Sequence, residues 1–208
     1  VIATGIVLLA IACLADITWG GYAGSDILLH LRLPRMATAL FAGAAMALSG
    51  SQMQSIFRNP LADPHIMGIS SGAALGAALA TMHTGAALAG MSIAISASIG
   101  AAGAAGIILY ASGRFRNASI LLIFGVMLGF IITAIVSILQ FSSDAESLKI
   151  FYSWSAGSFS NSGWSEIAIL AIVLLLGYII ATRNSKGLDI ILFGDEFATM
   201  AGAPVHKI

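Results

Sequence analysis

Charge is what this 208-residue sequence has least of. Nine Lys and Arg with nine Asp and Glu make only 9% of it, where a soluble domain carries about a quarter. That shortfall excludes an ordinary water-soluble domain. The two signs cancel, so no basic field exists to attract nucleic acid. A single cysteine, Cys13, lies in an apolar run. It supports neither a disulfide framework nor a zinc site, and reads as a small hydrophobe. No G-x-x-x-x-G-K followed by Ser or Thr occurs, so no ATP-hydrolysing site and no enzyme activity are expected of this chain. Strand-type alternation is missing, which argues against a β-barrel. The chain lacks an initial Met and opens inside an apolar run. From this a trimmed start is expected, not a cleavable signal peptide.

Apolar surface is what the chain has in excess. Hydrophobic residues make 59% of it and the mean hydropathy is +0.98, the composition of a membrane protein. A charge at the bilayer centre is expensive and a spanning helix needs about 20 apolar residues, so charge-free intervals predict the spans. Val1–Ala15 is the first and Met36–Phe57 the second. Pro64–Gly113 holds two more, broken in the Gly, Thr and His patch around Met82–Gly90. Asn117–Ser143 is the fifth; Ile167–Thr182, extended toward Trp164, is the sixth. The expected fold is all-α, a polytopic bundle of about six spans forming one transmembrane domain over residues 1–208.

With six spans, Arg58, Arg114, Arg116, Arg183, Lys186 and Lys207 share one side, and Arg32, Arg35 and Lys149 the other. The richer side is cytoplasmic by the positive-inside trend, and Trp19, Trp154 and Trp164 then fall near the outer boundary as an aromatic belt. Arg32 and Arg35 run against the trend, which suggests a use, although lipid headgroups would also hold them. They lie on one helical face or bracket Pro34 in a turn.

Small residues recur every four positions: Gly68, Gly72, Gly76 and Ala80; Ala39, Gly43 and Ala47; Ser96, Gly100 and Ala104; Gly125 and Gly129. Such ridges let helices approach closely in lipid, so a tightly packed bundle enclosing a path is expected. No Asp, Glu, Lys or Arg lies deep in a span, and no ion site of a coupled carrier or channel is visible. His65 and His83 stand alone at the two ends of the third span and read as polar anchors, not metal ligands. A path lined this way suits a large solute handed over by another component and driven by energy supplied elsewhere.

Between the second and third spans stands SQMQSIFRNPLADPHIMGIS, Ser51 to Ser70. Asn59-Pro60 and Asp63-Pro64 are turn dipeptides, since proline disfavours helix at the residue before it. Pro64 then suits the first turn of the third helix, with Asp63 as its N-cap. Near the other end, Asp195 to Gly202 reads as a short helix, with acidic residues at its start, an apolar side of Phe197, Met200 and Ala201, and Pro204 beyond. A helix this short is marginal in water, so it docks on a partner or lies on the lipid surface.

The run RLPRMATALFAGAAMALSGSQMQSIFRNPLADPHIMGISSGAALG resembles permease subunits of the FecCD family, found in binding-protein-dependent ABC importers of iron-siderophore, haem and cobalamin type. Arg32, Pro34 and Arg35 match one element of its pattern; Ser49, Gly50 and Gln54 a second; Asn59, Pro60, Leu61, Ala62, Pro64 and Gly68 a third. Met67 stands where the family usually has Leu. WSAGSFSNSGWSE resembles the outer segment between the fifth and sixth helices, and LFGDEFATMAGAP a cytoplasmic coupling loop within 187–208.

The resemblance implies a ten-helix subunit working as a homodimer, whose last four helices would follow Ile208. It implies a multi-pass protein of the cytoplasmic (inner) membrane. The partners implied are a cytoplasmic ATPase subunit, which holds ATP and Mg, and a periplasmic or lipid-anchored substrate-binding protein. No cofactor is expected on this chain itself. Gly194, Asp195, Glu196, Ala198 and Gly202 would dock in a cleft of the ATPase. Arg32 and Arg35 would receive glutamates of the binding protein. Asn117, Ala118 and Ser119, opening the fifth helix, fall at the family's inner gate, although they also read as a plain interfacial helix start. The cargo implied is an iron complex, siderophore or haem, with cobalamin and molybdate as family alternatives. An ion-coupled secondary transporter and a membrane scaffold are the rival classes.

Overall fold

The computed structural model describes residues 2–18, 25–83, 91–115, 117–160, 162–192, 194 and 200. Among these residues every regular element is helical. Helix α1 spans Ile2–Thr18. A three-residue α2, Ser25–Ile27, runs into a π-helical turn, Leu28–Arg32. There follow α3 (Leu33–Phe57), α4 (Ile69–His83), α5 (Met91–Ser112), α6 (Ala118–Phe141), α7 (Ala145–Ser155) and α8 (Trp164–Ile191). Helices α1, α3, α4, α5, α6 and α8 fall in the six charge-free intervals where spans were expected, but α3 is not among the helices apolar enough to cross. Ile93–Ser112, Ala118–Phe141 and Trp164–Arg183 are long and apolar enough to cross a membrane, while Ile2–Thr18 and Ile69–Met82 are apolar but shorter.

Three boundaries differ from expectation, each for a local reason. Helix α3 starts before Met36. The π turn closes with the Leu33 N–H on the Leu28 carbonyl, and Pro34, lacking an N–H, cannot extend that pattern; it suits the first turn of an α-helix instead. The helix alternative for Arg32 and Arg35 therefore holds, not the turn. Helix α4 starts at Ile69, not at Pro64, and Asp63 is not its N-cap. The Asp63 carboxylate accepts from the His65 N–H at 2.6 Å, and Gly68, at φ +80°, separates that turn from the helix. Helix α7 occupies part of a segment expected only as a connection.

The chain divides into two compact units: Val1–Leu48 with Ser158–Ser185, and Ser49–Gly157 with Lys186–Ile208. In the first, the Trp164 indole donates to the Leu29 carbonyl at 3.2 Å, tying the start of α8 to the π turn. In the second, α4 packs against α5, α6 and α7. Its core is built mainly of small side chains: Ala77, Ala78, Ala97 and Ala104, closed by Ile93, Ile132, Val136 and Phe151.

Glycine explains how close these helices come. A Cβ on Gly72 would stand 2.6 Å from the Gly100 carbonyl oxygen, and one on Gly76 would strike the Ser96 carbonyl. One on Gly68 would stand 2.9 Å from the Gly129 nitrogen. The expected ridge of the third span is thus divided, with Gly72 and Gly76 against α5 and Gly68 against α6. Around Gly43 no described atom comes within 4 Å of a built Cβ.

Candidate functional site

The inner-face motif folds as two hydrogen-bonded turns behind a helix cap. Helix α3 ends with Arg58 in the left-handed region, φ +48°. The Arg58 N–H donates to the Ser55 carbonyl at 3.3 Å and the Asn59 N–H to the Gln54 carbonyl at 3.2 Å. That pair of bonds is a Schellman cap. Its left-handed position normally belongs to glycine, and an L side chain there costs about 1 kcal/mol. The Arg58 side chain has a use: its Nε donates to the Ile191 carbonyl, the last of α8, at 2.8 Å. Next, Asn59 Oδ1 accepts from the Leu61 N–H at 2.9 Å and the Asn59 carbonyl from the Ala62 N–H at 3.0 Å. Asp63 repeats the pattern with the N–H groups of His65 and Ile66. Each Asx-Pro pair therefore makes the same turn, proline presetting the chain and the side-chain oxygen closing it. Ala62 and Met67 are buried, while Leu61 is 78% exposed.

Asn117 caps α6 in an extended conformation, and its side chain accepts from the Ser119 N–H at 2.9 Å. Asn117, Ala118 and Ser119 are all exposed. Just before them, Phe115 packs on Phe124 with ring centroids 5.7 Å apart. The Arg114 guanidinium lies over the Tyr110 ring, 5.8 Å from its centroid.

Arg32 and Arg35 share a cleft of about 340 Å³ with Asp16, Leu31 and Ser160. Arg32 Nη1 donates to the Ile17 carbonyl in the last turn of α1 at 2.7 Å, a cation placed where a helix end carries partial negative charge. Arg35 is exposed. Two guanidiniums beside one carboxylate leave a net positive cleft, chemically suited to an incoming carboxylate. Asp16 was not singled out from sequence, and Ser160 only as part of WSAGSFSNSGWSE; no local pattern joins either of them to the arginines.

Asp144 was also missed, although an Asp three residues before a Ser at a helix start is a capping signal. Its carboxylate accepts from the N–H groups of Glu146 and Ser147, at 3.1 and 3.0 Å, and from the Ser147 hydroxyl at 2.7 Å. These bonds, the Ser147 backbone bond foremost, hold its pKa below the usual carboxylate range. At α8 the Glu166 carboxylate reaches back to the Gly163 N–H at 3.0 Å, half of a capping box.

Gly194 follows α8 at φ +111°, and its N–H donates to the Ile191 carbonyl at 3.0 Å. Asp195, Glu196, Ala198 and Gly202 lie outside the described residues. So do Trp19 of the expected aromatic belt and the charges Arg116 and Lys207. Among the described residues no three His, Cys, Asp or Glu side chains are grouped to hold a metal ion.

Closely packed apolar helices, small-residue contacts and polar turns at the helix ends define an all-helical fold of the membrane-protein kind. The chain belongs to the FecCD transport family, which matches residues 2–208. It is 35% identical over 186 residues to the hemin transport system permease protein of Yersinia pestis, covering 87% of this chain and 55% of that one. The molybdate import system permease protein of Haemophilus influenzae is 34% identical, covering 88% and 54%. The vitamin B12 import system permease protein of Klebsiella pneumoniae is 33% identical, covering 90% and 56%. The chain thus spans about half the length of these relatives. A solved structure described as the inward-facing conformation of a metal-chelate type ABC transporter superposes with a TM-score of 0.84. It is 31% identical and covers 97% of this chain and 67% of that one.

Proposed function

We propose that this chain is the permease part of an ABC importer that moves an iron complex, siderophore or haem, across the cytoplasmic membrane. ATP is hydrolysed on a separate subunit. The family match over residues 2–208 carries this reading. The hemin relative favours an iron complex, and the metal-chelate transporter structure favours a chelated metal without saying which. The relatives named for molybdate and vitamin B12 stand at almost the same identity, so those cargoes are the alternatives.

In this mechanism two copies enclose the path, and binding and hydrolysis of ATP switch its access from one side to the other. The Gly194–Gly202 segment docks on the ATPase. Arg32 and Arg35 receive acidic side chains of the binding protein, pairs that set registration and on-rate more than affinity. Asn117, Ala118 and Ser119 line the inner gate, where small side chains let two subunits close. An ion-coupled carrier would need an intramembrane ion site instead. The reading is tested by purifying the tagged full-length subunit together with the ATPase encoded beside it. A stable complex whose ATP hydrolysis rises with loaded binding protein is expected; a subunit that never associates with an ATPase defeats the proposal.

A further inference from the structure

We infer that Arg58 is a positioning residue that locks the turn after α3 to the end of α8, so that movement of the segment after α8 is carried to α6. The inference rests on the importer reading and adds a route to it. Three observations within one compact unit carry it.

First, Arg58 occupies the left-handed cap position although glycine would fit there without strain. A strained residue is kept where its side chain is used, and here Nε meets the Ile191 carbonyl at 2.8 Å. That carbonyl also accepts from Gly194, the first residue of the segment proposed to dock on the ATPase. A guanidinium on the carbonyl end of a helix is favoured by the helix dipole. Second, the residues after Arg58 leave little slack. Asn59 and Asp63 each close their turn with a side-chain and a backbone bond, so the stretch moves as a block. Third, that block ends against α6 with no room between backbones. A Cβ on Gly125 would stand 3.2 Å from Met67 Cα, and one on Gly129 would stand 3.2 Å from Gly68 Cα. Displacing the block therefore displaces α6, whose first turn carries Asn117–Ser119. Packed elements with no free volume transmit a shift instead of absorbing it.

The test places spin labels at Ile66 and Leu192, both exposed, in the full-length subunit assembled with its ATPase and otherwise free of cysteine. The expected result is one narrow interspin distance, the same with and without ATP. Arg58→Gly keeps the left-handed backbone free of strain and removes only the side chain. It is expected to broaden that distance and lower uptake per ATP hydrolysed about tenfold, a size typical of residues on a coupling route. Arg58→Lys is expected to recover part of both. A wild-type distance that changes with ATP overturns the inference. So does an Arg58→Gly protein with wild-type width and wild-type uptake per ATP. Should Arg58→Gly fail to assemble, the wild-type distance alone decides. A wild-type subunit that does not bind the ATPase strikes at the importer reading; normal binding with independently moving labels strikes at Arg58.

Discussion

Arg32 and Arg35 lie three residues apart in sequence and do different things. Arg32 is engaged with the carbonyl end of α1, while Arg35 is exposed in the same cleft. Reversing both charges, Arg32→Glu with Arg35→Glu, is expected to impair transport in the full-length protein and leave assembly intact. Binding of the partner protein at low salt should weaken, and the gap to wild type should shrink as salt screens the pair. Unchanged binding at low salt would remove these arginines from the docking surface. Asp144 makes a pH prediction. Its folded pKa is lowered, by the Ser147 bonds foremost and by Glu146, so its stabilisation of α7 is present above the ordinary carboxylate pKa and is lost as pH falls below that value through the lowered folded pKa. Hydrogen exchange of the α7 amides, taken relative to the intrinsic rate at each pH, should therefore quicken on acidification in the wild type. In Asp144→Asn it should be quicker already at neutral pH and respond less to acid.

At the scale of elements, the α4–α5 contact depends on absent side chains. Gly76→Leu would drive a branched side chain into the Ser96 backbone, and the helices must part. A loss of about 1–3 kcal/mol is expected, the usual cost of overpacking, read as a lower thermal midpoint in detergent. Gly103→Leu, where no described atom lies within 4 Å of a built Cβ, should change it little. The glycine ridges of α4, α5 and α6 were legible because period-four spacing is local. Which partner each glycine meets was not, since that depends on how α4 crosses two neighbours. The start of α4 was misread because Asp-Pro serves equally as a helix start and as a turn, and Gly68 at φ +80° decided it. The cap at Arg58 was hidden because its signal is ordinarily a glycine. The pairing of Arg58 with Ile191 spans 133 residues, and no sequence window contains it.

For the whole molecule, charge-free intervals located six helices, and the asymmetry of basic residues predicts an orientation. Cysteines placed near Asp26 and Ser155 should react with a membrane-impermeant reagent added from outside, and those near Arg114 and Lys186 should not. Labelling of the opposite set would invert the topology. The central claim is that the complete subunit moves its cargo with energy from ATP hydrolysed by a partner. The most direct measurement is uptake of an iron-siderophore or haem into vesicles holding the full-length subunit and its ATPase, with binding protein outside and ATP sealed inside. The account expects uptake only when both are present, with none driven by a proton or sodium gradient alone. Accumulation driven by such a gradient without ATP would contradict it.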